Sequence, residues 1–124
     1  MKKLTKAEEE IMQIIWRLGR CTVTDILNEL GDPKPPRSSI SSIVQILEKE
    51  RKFLGYKAYG RTYEYFPIVS KDEYSKFSLK KIVNNYFEGS MNNLVSFLVK
   101  ENDLDVKALG ELLDKLSDED ETKS

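Results

Sequence analysis

The stretch PPRSSISSIVQILEKERKFLGYKAYGRTYEYFP, residues 35–67, changes its period halfway along. In the first half Ile40, Ile43, Val44 and Leu47 recur three and four residues apart, the apolar stripe of a helix packed on one side. After Phe53 the pattern becomes aromatic and short, Gly60-Arg61 offers a turn, and Thr62 to Pro67 alternates as a returning strand. The two prolines bar a helix from running in from upstream. The expected helix therefore begins near Ser38 or Ser39, either of which can cap it, and runs to about Arg51. A small hairpin with a basic tip follows.

The polar face of this helix is made of an odd material. Serine competes for backbone hydrogen bonds, and a plain solvent face is better built from Glu, Lys and Gln. Ser38, Ser39, Ser41, Ser42 and Gln45 instead supply short donors and acceptors. A helix lying in the major groove needs such a face, because bulky side chains would hold it away from the bases. Ser41, Ser42 and Gln45 are the expected base-facing residues. Ser38, Ser39 and Arg37 are assigned to caps and phosphate contacts, and Lys49 near the far end to a longer-range phosphate contact. Lys57 and Arg61 flank the hairpin turn, where they can meet the backbone or the minor groove. Tyr56, Tyr59, Tyr63 and Tyr65 are expected to form hairpin core and cross-strand pairs rather than base-stacking platforms.

Upstream, two more helices are marked by their caps. Thr5 and Glu8 form a capping box before an apolar face of Ala7, Ile11, Ile14, Ile15 and Leu18, which predicts a helix over 6–18 stopped by Gly19. Thr22, with Asp25 three residues on, opens a shorter helix carrying Val23, Ile26, Leu27 and Leu30 and closed by Gly31. Asp32-Pro33-Lys34-Pro35-Pro36 then makes a rigid connection. Three helices followed by a basic hairpin is the order of a winged helix-turn-helix.

Charge distribution agrees with that order. The net charge of −1 over 124 residues conceals twelve Lys/Arg against nine Asp/Glu in residues 1–69, and eight against twelve in residues 70–124. The basic excess gathers between Lys34 and Arg61, an electrostatic footprint suited to a polyanion.

Downstream, three apolar stripes remain. Tyr74, Phe77, Ile82, Val83, Tyr86 and Phe87 form one; Met91, Leu94, Val95 and Leu98, opened by Ser90 after Gly89, a second; Val106, Leu109, Leu112, Leu113 and Leu116 a third. Three short amphipathic helices cannot bury all these faces among themselves, so a second copy is the expected partner. The alternative is packing against the winged domain of the same chain. Residues 119–124 form an acidic tail expected to fray.

Several chemistries are excluded or weak. Cys21 is the single cysteine and histidine is absent, which removes a disulfide framework, His-containing zinc sites, and Ser-His or Cys-His nucleophiles. No enzyme, cofactor or metal site is expected. The opening residues do not read as a signal peptide, and the longest apolar run, LVSFLV at 94–99, is far below the ~18 residues of a membrane span. A cytoplasmic location is expected.

Four blocks, LTKAEEEIMQIIW (4–16), SSISSIVQILEKE (38–50), YKAYGRTYEYFP (56–67) and YFEGSMNNLVSFLV (86–99), together resemble the BlaI/MecI (penicillinase repressor) family of transcriptional repressors. The resemblance implies a mainly α chain with a small β-hairpin: a winged-helix DNA-binding domain over 1–70 and a three-helix dimerisation domain over 71–118. It implies repression by a homodimer on a palindromic operator in double-stranded DNA. Carried over position by position, the recognition helix falls on 37–51, the wing on 56–66, and Thr22 on a small hydroxyl position suited to phosphate. The dimer interface is expected to draw on Tyr86, Phe87, Met91, Leu94, Val95, Leu98, Leu109, Leu112, Leu113 and Leu116.

Two departures from the family pattern stand out. Members often have glycine where the recognition helix gives way to the wing, and Lys52 stands there instead, which implies left-handed strain of about 1 kcal/mol or a rearranged junction. Antibiotic-responsive members are inactivated by proteolysis within the fifth helix, through a membrane metalloprotease sensor. The matching bond is Ser96-Phe97, without the asparagine that precedes the cut in staphylococcal-type members. The cysteine-rich C-terminus of copper-responsive relatives is also absent. Against the repressor stand two other readings: a winged-helix protein-interaction module whose basic strip is incidental, and a small enzyme, which the missing histidines argue against.

Overall fold

A computed structural model describes residues 1–102 and 111 of the chain. Its elements are α1 (Lys6–Leu18), α2 (Val23–Leu30), α3 (Arg37–Lys49), β1 (Leu54–Tyr59), β2 (Thr62–Pro67), α4 (Lys71–Tyr86) and α5 (Met91–Asn102). The fold is mainly helical with a two-stranded antiparallel hairpin, a winged helix followed by a helical C-terminal region. It divides into two compact units, Met1–Tyr74 and the chain from Ser75 onward, so that the division falls inside α4. Among the described residues no helix is long and apolar enough to cross a membrane.

In the first unit α1 and α2 start where their capping boxes lie. The Thr5 hydroxyl accepts from the Glu8 N–H at 3.2 Å while the Glu8 carboxylate accepts from the Thr5 N–H at 2.8 Å. Thr22 and Asp25 repeat the arrangement at 3.2 and 2.9 Å. Ile11, Ile14 and Ile15 of α1 are buried as their spacing requires, but Ala7 and Leu18 are exposed, and Met12 is fully buried. The reason is that α1 packs against α2, α3 and β2 at once, so its covered arc is wider than one stripe.

Helix α3 corrects two expectations. It begins at Arg37 with Pro36 as its cap, and no side chain caps it, so neither Ser38 nor Ser39 plays that part. Ser39 N–H and Ile40 N–H both turn back to the Pro36 carbonyl, at 3.1 and 3.5 Å, which closes the first turn without a hydroxyl. Pro36 sits at φ −59° and ψ 141°, an extended conformation that aims its carbonyl at the first turn. The helix ends at Lys49, two residues short of Arg51. Ile40, Val44 and Leu47 are buried, with Ile43 half-buried beside them. At the exit Lys52 adopts φ 61°, the left-handed region, and the following Phe53 N–H reaches back to the Leu47 carbonyl at 2.9 Å.

The wing pairs Tyr56 with Tyr65, Ala58 with Tyr63, and Tyr59 with Thr62. Its two-residue loop carries a positive φ on Gly60 and not on Arg61, as a type II′ turn requires. At its base Tyr65 exchanges backbone hydrogen bonds with Cys21 at 2.7 and 3.0 Å, tying the segment ahead of α2 to β2. Leu54 and Tyr65 are buried at that base. Tyr56 and Tyr63 do pair across the strands, with ring centroids 5.1 Å apart, but Tyr56, Tyr59 and Tyr63 are each about half exposed, at 49, 53 and 49%. The hairpin core therefore claims only Tyr65. Beyond the base, Tyr56 and Tyr63 cover part of each other and face α3 across a shallow depression, which leaves about half of each ring exposed.

Three further ties close this unit. The Trp16 indole N–H donates to the Val69 carbonyl at 2.9 Å, and the Leu4 N–H donates to the Tyr74 hydroxyl at 2.9 Å. Arg51, two residues past the end of α3, donates to Glu8 at the start of α1 at 3.1 Å.

In the second unit, Gly89 (φ 76°) and Glu88 (φ 54°) make the turn between α4 and α5. Ser90 caps α5, its hydroxyl accepting from the Asn93 N–H at 3.2 Å. Val83 and Leu94 are buried, whereas Ile82, Tyr86 and Phe97 are exposed. The single stripe expected from Tyr74 to Phe87 is thus broken: Tyr74 packs against Trp16 and Phe53 in the first unit. Val106, Leu109, Leu112, Leu113, Leu116 and the acidic tail lie outside the described residues.

Candidate nucleic-acid interface

The start of α2, the outer face of α3 and the wing wall a cleft of about 220 Å³. Thr22, Val23 and Thr24 line it from α2, Arg37, Ser41 and Gln45 from α3, and Arg61, Thr62, Tyr63 and Tyr65 from the wing. Residues 41 and 45 share a face because they are four apart on a helix. A second depression of about 120 Å³ continues along that face between Gln45, Glu48, Lys49, Tyr56, Tyr63 and Tyr65. The Arg37 guanidinium donates to the Thr24 hydroxyl, which holds its long side chain over the cleft. The Thr22 oxygen is engaged by the Asp25 N–H, but its own O–H remains a donor.

Of the residues singled out in the sequence, Thr22, Arg37, Ser41, Gln45 and Arg61 are brought together in this cleft, and Lys49 lines the adjoining depression. Ser38 and Ser39 are exposed and line neither. The Ser42 hydroxyl donates to the Ser38 carbonyl at 2.9 Å, the back-bonding to residue i−4 open to any helical serine. Lys57 is exposed on the opposite face of the wing from Tyr56, with its ammonium 5.3 Å from the Tyr59 ring centroid. Thr24, Thr62, Tyr63, Tyr56 and Glu48 also line these hollows, although nothing in the sequence pattern marks them as site residues. Strand alternation placed Tyr63 and Tyr56 on the Tyr65 face; what it did not reveal was how quickly that face leaves the core.

Local electrostatics separate supporting groups from available ones. Burial pushes the Cys21 thiol up to about 11, with Asp25 and Glu64 adding to it, so the thiol stays protonated. Burial, then the charge of Glu48, raises the Tyr65 phenol above its ordinary value. Burial works to raise the Glu8 carboxyl, yet the Thr5 N–H, Arg51 and the Thr5 hydroxyl outweigh it and hold the group below the usual carboxylate value.

The sequence profile described as Penicillinase repressor matches residues 4–118. The chain belongs to the penicillinase repressor family. It is 22% identical over 117 residues to the penicillinase repressor of Bacillus licheniformis, covering 90% of each chain. It is 25% identical over 112 residues to the methicillin resistance regulatory protein MecI of Staphylococcus aureus (strain N315), covering 89% of each. It is also 26% identical over 117 residues to the penicillinase repressor of Staphylococcus aureus, covering 94% of this chain and 92% of that one. The penicillinase repressor family is one of transcriptional regulators, and the winged helix of residues 1–74 is consistent with it. At the junction where this family member carries Lys52, the backbone keeps the left-handed conformation that glycine would adopt freely. In α5, Ser96 and Phe97 are both exposed, and the Phe97 ring lies 5.5 Å from that of Phe87.

Proposed function

We propose that this chain represses transcription as a homodimer that binds a palindromic operator in double-stranded DNA. The observation that carries the reading is the convergence of Thr22, Arg37, Ser41, Gln45 and Arg61 on one cleft between α3 and the wing. Two arginines with hydroxyl and amide donors suit a phosphate backbone beside base edges. Ser41 and Gln45 read bases, Arg37, Arg61 and Lys49 hold phosphates, and Thr22 donates its hydroxyl to a phosphate. Lys57, Ser38, Ser39 and Ser42 are left to the periphery. Exposed Ile82, Tyr86 and Phe97 support a second copy as partner of the C-terminal unit, in which two recognition helices would stand about one DNA turn, ~34 Å, apart. Relief of repression is assigned to cleavage at Ser96-Phe97 by a membrane metalloprotease sensor. Exposure of both residues supports it, though α5 must unwind locally before a protease can take the strand.

A gel-shift titration of the full chain against DNA upstream of its own gene, at low and raised salt with random duplex as competitor, tests this. Specific, salt-sensitive binding is expected. Gln45→Ala should narrow the gap between operator and random DNA, and Arg61→Ala should weaken both alike. No preference over random duplex at any salt would defeat the proposal.

A further inference from the structure

Glu48 sits among basic and neutral residues on the α3 face that carries Ser41, Gln45 and Lys49, and it brings a carboxylate there. It is half-buried at the adjoining depression, where Tyr56 and Tyr63 narrow the space from the wing side. Lys49 is its neighbour in sequence, yet the Glu48 carboxylate makes no hydrogen bond or ion pair among the described residues. Such a carboxylate is not part of the framework that holds the fold. Facing a phosphate backbone it is repulsive at every sequence.

Against DNA, a carboxylate becomes favourable where it accepts from a base amino group. Guanine presents only acceptors in the major groove, thymine an acceptor and a methyl group, and adenine sets the acceptor N7 beside its N6 amino group. Cytosine offers its N4 amino donor without an acceptor of its own on that edge. We infer that Glu48 is a specificity-determining residue that selects a cytosine in each half-site by accepting a hydrogen bond from its N4 amino group. The inference rests on the DNA-binding reading above.

The experiment is selection from a random-sequence duplex pool by the full chain, run in parallel with Glu48→Ala and Glu48→Gln. Wild type is expected to enrich a two-fold site with cytosine at a fixed position in each half. Glu48→Ala should lose that preference by about tenfold while leaving the other positions unchanged. Glu48→Gln, which keeps the shape, should turn the position toward adenine, whose N6 and N7 match an amide. Identical base preferences in all three proteins would overturn the inference and leave the DNA-binding reading intact. Failure of wild type to enrich any sequence would sink both.

Discussion

Arg51→Ala would strip the positively charged partner from a carboxylate that is almost out of water. The Glu8 side chain is 6% exposed and that of Arg51 24%, with Nε 3.1 Å from the carboxylate oxygen. The other oxygen already accepts the Thr5 N–H at 2.8 Å, so a single group fastens the start of α1 to the segment that follows α3. A hydrogen bond to a charged group contributes about 1.5–3 kcal/mol. Breaking a fully buried pair costs about 3–5 kcal/mol because the remaining charge is stranded. Here Arg51 keeps some water and the Thr5 N–H stays, so a loss of about 2 kcal/mol at pH 7 is expected. The sign of the pH dependence follows from the lowered pKa of Glu8. Its contribution is fully present above the unfolded carboxylate value of about 4.3 and is lost as pH falls through the folded value. Wild type and Arg51→Ala should therefore converge in stability once the pH has fallen below the lowered folded value. Trp16 is the sole tryptophan and donates its indole N–H to Val69, so its fluorescence in urea reports the first unit. A loss under about 0.5 kcal/mol at pH 7, or equal acid slopes in the two proteins, would refute the claim that Arg51 holds the carboxylate.

Lys52→Gly relieves a left-handed residue costing about 1–2 kcal/mol, and glycine's greater unfolded freedom returns about 0.5–1 kcal/mol. The net gain should be roughly 0.5 kcal/mol in the unfolding free energy from a urea titration, with Lys52→Ala giving none; equal effects of the two would remove the backbone explanation. The Cys21 thiol, buried and pushed up to about 11, should react with a disulfide reagent at pH 8 far more slowly than free cysteine and at the full rate only in denaturant. Rapid labelling of the folded chain would show that the segment between α1 and α2 opens readily.

Much of the winged unit was legible because its sequence signals are local. Thr5-Glu8 and Thr22-Asp25 write their own helix starts, and Gly60-Arg61 its own turn. The serines of α3 were harder, since a hydroxyl can cap, back-bond or face outward. Pro36 took the capping role and Ser38's carbonyl took Ser42, leaving Ser41 in the cleft. Alternation puts Tyr56 and Tyr63 on one face, and they do pair across the strands, but it does not say how far the core extends beneath them, so Tyr56, Tyr59 and Tyr63 stay half exposed. Periodicity along α4 joins Tyr74 to the downstream stripe, because it carries no mark of where one compact unit ends. Thr24 and Glu48 gave no signal at all in one dimension. Each matters only through what the fold sets opposite it.

The backbone exchange between Cys21 and Tyr65 makes the wing a graftable part. It is moored at its root by these main-chain groups together with the buried Leu54 and Tyr65 side chains. The tip, from Tyr59 to Thr62, is free of that mooring. Exchange of the tip for another two-residue turn with a different charge should therefore alter how the molecule meets its DNA while the angle between hairpin and α3 stays as it is.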